Sequence, residues 1–450
     1  MPLKPNVMIQ KQKKNTQNFM VTAFFIMLLG MVTGTQNATA FFQDNMQQEV
    51  EFNLYKGEVL DSKTKKPLVF ASLAIEESNI STITNAEGEF SLKIPKDAIN
   101  ANVVVSFLGY STKTISLTQL NKEKNKIMMD ISITELPGVN IEVPKDAEAL
   151  VRDVLKRKGE NYFDDPTLMT AFYRETIKKR RKNVSLSEAV VNIYKTPYTS
   201  PKKDGVKLYK ARKSTDYDKL DTVALKLQGG PFNALFVDIM KYPEYIFSPE
   251  TLDHYIFKFD HSTRVNDKLI YVISFEQNSQ VIDPLYKGKL YIDAKNKILT
   301  SAIYSLNITD KDLAARLFVR RKPRNAQVWP TDVAYRVDYR EKNGKWYYSY
   351  SNVLLEFKVN WDKRLFNSVY SMTCEMAITD WKKNLSTEFP KTKDRIKTSI
   401  ILSDEAIGFS DPDFWGQYNI IEPEKSIESA IKKIQRQLRK ANSDGGTSIP

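Results

Sequence analysis

The chain has 450 residues, with 67 lysines and arginines against 54 aspartates and glutamates, for a formal net charge of +13. A single cysteine, Cys374, excludes intrachain disulfides, so stability has to come from packing. The two histidines, His254 and His261, open no H-x-x-E or H-E-x-x-H motif, which leaves no ligand set for a zinc peptidase.

Residues 1–40 hold Lys4, Lys11, Lys13 and Lys14 and no acidic residue. The apolar run Met20 to Val32 follows, then a polar stretch ending Ala38-Thr39-Ala40. This order is that of a secretory signal peptide cut between Ala40 and Phe41. The run of 13 residues is shorter than the roughly 20 that a spanning helix needs; the alternative is an uncleaved N-terminal anchor. No cysteine follows the cut to carry a lipid. Export to the periplasm or the outer-membrane periphery is expected. Without the four lysines the charge is still +9, and an exported basic chain meets an anionic membrane surface or a polysaccharide rather than nucleic acid.

Residues 50–135 read as short alternating strands separated by turns. Phe90, Leu92 and Ile94 face one way, with Ser91 and Lys93 opposite, and Val103, Val105 and Phe107 repeat the pattern. Asn85-Ala86-Glu87-Gly88 and Gly109 supply turns. About seven strands in such a length predict a β-sandwich.

The same segment resembles a known module. Gly57-x-Val59-x-Asp61, Lys66-Pro67-Leu68 with Ala71, Thr84-Asn85-x-x-Gly88-x-Phe90-x-Leu92 and Phe107-x-Gly109-Tyr110 are similar to the carboxypeptidase-regulatory-like domain, a prealbumin-like sandwich common in envelope proteins of the Bacteroidetes. Asn85 stands where the family usually has Asp, and both are good turn residues. The resemblance is to the accessory sandwich, so the chain is not expected to be a carboxypeptidase.

Pro137-Gly138 and Pro144 punctuate the exit into a second region, 145–440. A helix capped by Asp146 is predicted first, with Leu150, Val151, Val154 and Leu155 as its apolar stripe. From about 167 to 402 the texture is β, with hairpin loops at 293–297 and 342–345 and short helices at 232–239 and 311–317. A last helix is predicted after Pro423, on Ile427, Ile431, Ile434 and Leu438, and residues 441–450 read as a disordered tail. The expected fold is therefore mainly β: the prealbumin-like sandwich, then a larger curved antiparallel sheet, half-barrel-like, with a few helices. Gly288-x-Leu290-x-Ile292-Asp293 with Ile298 and Ile303 is similar to hairpins of periplasmic lipoprotein carriers over about 20 residues. Asn161-Tyr162, Ala171-Phe172-Tyr173-Arg174-Glu175, Glu188-Ala189, Asp413-Phe414-Trp415 and Ile421-Glu422-Pro423 resemble uncharacterised Bacteroidetes envelope proteins carrying the same sandwich.

No nucleophile elbow, phosphate-binding glycine loop or dinucleotide fingerprint is present. Arg174 and Glu175, side by side in an aromatic strand, are candidate binding residues; the structural reading is a buried ion pair with another strand, one of the two facing the interior. Trp415 is a candidate ligand platform or, alternatively, an anchor pinning the last helix. Trp329, Trp346 and Trp361 invite a sugar-stacking role, although most aromatic residues have to be core. Cys374 alternates with Met372 and Met376 and reads as a buried structural thiol. The basic runs Lys178 to Lys182 and Arg320-Arg321-Lys322 read as solvated loops or strand edges. Together these features predict a non-catalytic envelope binding or scaffold protein with no cofactor. Its partner would be an envelope protein or an apolar or glycan ligand, with peripheral contact to the outer membrane. A hydrolase of cell-wall or polysaccharide substrates and an outer-membrane β-barrel are the competing readings.

Overall fold

The computed structural model describes residues 51–98, 100–132, 146–180, 182–215, 227–265, 268–319, 322, 324–362, 365–408 and 414–425. The signal segment with Ala40 and Phe41, the exit from the sandwich, Asp413, the terminal helix and the tail lie outside the described residues.

Strands β1 (Phe52–Asp61), β4 (Glu89–Pro95) and β7 (Asn125–Met129) form one sheet in the order β4-β1-β7. Strands β2 (Ser72–Ile75), β3 (Ser81–Ile83), β5 (Asn102–Ser106) and β6 (Lys113–Ser116) form a second, ordered β3-β2-β5-β6. The two close on Val59, Leu73, Phe90, Leu92, Val103 and Val105, the inward half of each alternating strand. Burying each of these large side chains contributes roughly 1.5–3 kcal/mol.

The recurrent turn residues hold this sandwich together. Asn85 Oδ1 accepts from the backbone N–H of Glu87 at 3.0 Å and of Glu89 at 2.9 Å, the bonds an aspartate would also accept. Gly88 follows at φ +72°, where a Cβ would sit 2.8 Å from the Val59 carbonyl oxygen. Asp61 accepts from the N–H of Thr64 at 2.6 Å and of Lys63 at 2.9 Å, and from the Tyr110 hydroxyl at 2.7 Å. The Thr64 N–H and the Tyr110 hydroxyl draw its carboxyl down to about 2. Two separated sequence motifs thus meet in one hydrogen-bonded knot.

The large sheet uses β8 (Thr167–Lys179), β9 (Lys182–Lys195), β10 (Gly205–Thr215), β11 (Tyr255–Val265), β12 (Lys268–Gln277), β13 (Tyr286–Asp293), β14 (Ile298–Leu306), β15 (Ala326–Lys342), β16 (Lys345–Trp361), β17 (Ser368–Lys383) and β18 (Ile407–Gly408). Their order is β11-β12-β13-β14-β15-β16-β17-β8-β9-β10-β18. All neighbours are antiparallel except the two-residue parallel pairing of β18 on β10. The chain therefore enters the sheet in the middle, runs out to β10, crosses to the β11 edge and meanders back until β17 closes on β8. The sheet is curved and is not closed into a barrel, its edges being β11 and β18.

Local chemistry explains the long strands. Asn343 (φ 53°) and Gly344 (φ 76°) make the two-residue turn that joins β15 to β16, both in the left-handed region such a turn requires. Pro330 lies at a register shift, where its missing N–H costs no ladder bond.

Both faces of the sheet are covered. On one lie α1 (Ala147–Lys156) and the crossing chain 227–255, which includes the single turn α2 (Phe232–Leu235). Ser351 Oγ donates to the Ala234 carbonyl at 2.8 Å and Tyr339 Oη accepts from the Met240 N–H at 3.2 Å. Asp146 caps α1 through the Ala149 N–H at 2.9 Å. This face is thus packed along these strands by the protein's own residues. The opposite face receives the sandwich and the segment 414–424. Helix α3 (Lys311–Phe318) packs beside β15, with Phe318 6.0 Å from Phe357. No helix among the described residues is long and apolar enough to cross a membrane.

Candidate functional site

Strand register alone assembles the polar chemistry of the sandwich-side face. Arg212 on β10 pairs with Glu188 on β9, Glu188 with Arg174 on β8, and Arg174 with Glu375 on β17. The row continues to Asn352 on β16 and Arg336 on β15. Residues directly opposite in a sheet share a face, so one row alternates cation and anion across four strands. The parallel row two residues away, Val190, Phe172, Ala377 and Tyr350, is apolar. On it sit Ile83 of the sandwich and Trp415 and Ile421 of the C-terminal segment.

Arg174 is 2 % exposed and fully used. Its guanidinium donates to Glu188 Oε1 at 2.8 Å, Glu375 Oε1 at 3.1 Å and the Ile421 carbonyl at 2.6 Å. Arg212 holds the other oxygen of Glu188 at 2.8 Å. Burial pushes the Glu188 carboxyl up, but the two guanidiniums outweigh it and hold the group below its usual range. Glu375 has Arg174 alone, so burial wins and its carboxyl is raised.

Trp415 belongs to the same patch, 3 % exposed, edge-on to Phe172 at 5.4 Å and 4.7 Å from the Arg212 guanidinium. It is a buried contact between segment 414–424 and the sheet.

Glu175 points to the other face, yet it too is buried. The expectation that only one of the pair faces an interior is corrected here, because chain packs on both sides of the sheet. Glu175 accepts from the Tyr173 hydroxyl at 3.0 Å and lies beside Cys374. Burial pushes its carboxyl up to about 7 from an ordinary 4.5, and the thiol of Cys374 up to about 12. The folded state holds the Glu175 proton more tightly than the unfolded state. Stability from this group is therefore present below pH 4.5 and lost as pH rises through 7, by up to about 3 kcal/mol. Glu175→Gln should have a urea midpoint close to wild type at pH 4 and a higher one at pH 8.

On that face a second charge cluster surrounds Lys195, whose ammonium reaches Asp204 at 2.9 Å and Asp238 at 2.6 Å. Tyr242 donates to Asp204 at 2.7 Å and Tyr339 to Asp238 at 3.0 Å. Burial works against the charge of Lys195, and the two carboxylates more than offset it, so its pKa is raised. All three charged side chains are sealed from solvent.

None of Arg174, Glu175 and Trp415 lines a cleft. One lies between the sandwich's β2–β5 sheet and strands β12, β14, β15 and β16, with a cavity volume of about 480 Å³, within the range of small-ligand pockets. Phe70, Phe107 and Trp346 contribute aromatic surface. Phe70 adopts φ 65°, a left-handed conformation strained for a bulky residue, and its ring lies tilted, 5.0 Å from that of Tyr350. Arg336 donates to Asp338 Oδ2 at 2.8 Å, and Ser301 donates to Asp338 Oδ1 at 2.6 Å, so this carboxylate is committed at both oxygens. Two hydroxyls behind the cleft wall, Ser72 Oγ and Tyr350 Oη, are sealed from solvent. Arg340, also on the wall, has no hydrogen-bond or ion-pair partner among the described residues. Sequence reasoning passed over these groups. The signal was present in Arg336-x-Asp338-x-Arg340, which alternation puts on one face of β15, but not which surface covers that face. No cluster of three or more histidine, cysteine, aspartate or glutamate side chains able to hold a metal occurs among the described residues.

No curated protein matches the chain. Similar solved structures include a DUF1329 family protein from Desulfovibrio piger, 9 % identical, covering 54 % of this chain and 95 % of its own, TM-score 0.23. A membrane-associated protein of unknown function from Bacteroides fragilis is 11 % identical, covering 74 % and 99 %, TM-score 0.15. A LolA superfamily protein from Nitrosomonas europaea is 9 % identical, covering 55 % and 98 %, TM-score 0.19. At TM-scores this low, the likenesses bear on neither ligand nor activity. Residues 55–146 match the family described as CarboxypepD_reg-like domain, and this segment of the chain is a carboxypeptidase-regulatory-like domain.

Proposed function

We propose that the protein is a non-catalytic binding protein of the cell envelope, and that its ligand is a small acidic glycan held in the cleft between sandwich and sheet. The observation that carries this reading is one aromatic-walled cleft with Arg340 on its wall, a cation with no hydrogen-bond or ion-pair partner among the described residues. Arg340 supplies a cation for a carboxylate, and Phe107 and Trp346 offer flat apolar faces to a sugar ring. Both acids of β15 at the cleft already have partners, Asp338 in Arg336 and Ser301 and Glu341 in Lys268.

Trp346 provides a readout. Galacturonic acid and N-acetylmuramic acid should change tryptophan emission saturably, and glucose and N-acetylglucosamine should not. Arg340→Ala should weaken binding by about 10-fold or more, the loss of one hydrogen bond between charged groups. Equal binding of acidic and neutral sugars, or none of either, would rule the reading out.

A further inference from the structure

The cleft uses one end of β15 and β16. At the other end three separate chain segments meet, and the proposed function makes no use of them. The β8–β9 hairpin closes at Lys179 and Lys182. It touches the start of β17 through the Arg180 N–H, which donates to the Val369 carbonyl at 2.8 Å. The turn between β16 and β17 is held against the entry to β15 by the Asp362 N–H, bonded to the Asn325 carbonyl at 3.2 Å. Helix α3 ends beside them, its Phe318 against Phe357.

This end combines two kinds of exposed group. Leu365 is 96 % exposed, Phe366 78 % and Leu317, in the last turn of α3, 57 %. Around them Arg180, Lys182, Lys322 and Arg324 are exposed. Lys322 donates to the Ala326 carbonyl, and the other three have no carboxylate partner among the described residues. Among the described residues of 179–183, 316–325 and 361–368, Asp362 is the one acid.

We infer that this end of the sheet docks on an anionic lipid bilayer, with Leu365 and Phe366 entering the headgroup region and the cations meeting lipid phosphates. Two large apolar side chains at a turn tip cannot bury each other and offer no groove or broad face for a protein partner. Flanked by cations, they suit an interface whose apolar depth lies behind a negative surface. Docked this way, the cleft is held off the membrane. Arg336 lies ten residues along β15 from Ala326, on the order of 30 Å at strand rise, so a ligand reaches it from the aqueous side.

The test is co-sedimentation of the protein, in the form the cell exports, with vesicles of phosphatidylethanolamine and phosphatidylglycerol, and with vesicles of phosphatidylcholine alone. Binding is expected to the anionic vesicles only, and to weaken as salt is raised. The double variant Leu365→Ser/Phe366→Ser should bind about 10-fold more weakly, as expected for two apolar side chains that are only partly buried. Arg180→Ser/Lys182→Ser should also weaken binding and reduce the salt dependence. All four side chains are on the surface, so circular dichroism and the unfolding midpoint should match wild type. Equal binding to both vesicle types, no binding to either, or full binding by the Leu365/Phe366 variant would overturn the inference. Loss of vesicle binding with sugar binding intact separates this result from the cleft.

Discussion

Arg174→Met should destabilise the protein by about 3–5 kcal/mol, the loss expected when one partner of a buried ion network is removed. The cost comes less from the missing attraction than from what stays behind. Glu188 is 0 % exposed and would keep Arg212 alone, while Glu375 and the Ile421 carbonyl would lose Arg174 altogether. The segment 414–424 is bound to the sheet partly through that carbonyl, so the damage should spread there. Proteolysis between residues 414 and 425 should quicken in the variant before global unfolding is seen. Adding Glu375→Gln should recover part of the loss, because a neutral side chain tolerates burial better than an unpaired carboxylate. A denaturant midpoint for Arg174→Met within about 1 kcal/mol of wild type would mean that water reaches the cluster and that its burial has been misjudged.

Lys195→Met should cost about as much, roughly 3–5 kcal/mol. Asp204 and Asp238 both bond its ammonium and both are sealed on the side of the sheet covered by the crossing chain. Without the cation, two carboxylates face one another through Tyr242 and Tyr339 hydroxyls that donate but carry no charge. One of the carboxylates should then take up a proton, so the variant should gain stability relative to wild type as pH falls toward 5. Lys195→Arg should not rescue it, since a forked guanidinium does not fit where a compact ammonium contacts the rings of Tyr198 and Tyr242 at 5.0 and 5.4 Å. Chemical denaturation of both variants from pH 5 to 8 reads all three expectations.

Much of the architecture was legible because its signals are local. Asn343-Gly344 fixes a two-residue turn, Asp146 a helix start, and the alternation of Phe90, Leu92 and Ile94 the inward face of β4. The sheet's register was not legible, since it depends on pairing between residues as far apart as Arg174 and Glu375. The sequence therefore marked Arg174 and Trp415 as residues of interest but could not show that they meet at a buried joint. Glu175 was misjudged through a rule that holds for a sheet with one wet face. Here β8 is covered on both sides, and its near-continuous burial is the expected mark of that situation. The cleft was invisible for a related reason. Ser72 and Tyr350 lie on different bodies of the fold, and nothing in the alternation of either strand says that the two surfaces approach.

The sheet is entered at its middle and completed at β8 only when β17 arrives some two hundred residues later, followed by segment 414–424. A nascent chain can form the sandwich and the β8–β10 hairpins early, but β8 keeps an unpaired edge until nearly the whole chain has been delivered. Loop closure over such a span is slow, and an edge left open that long is an aggregation hazard. The step that commits the chain to the native state thus waits for its far end. Chaperone dependence during synthesis, rather than in the finished protein, is the biological signature such wiring would leave.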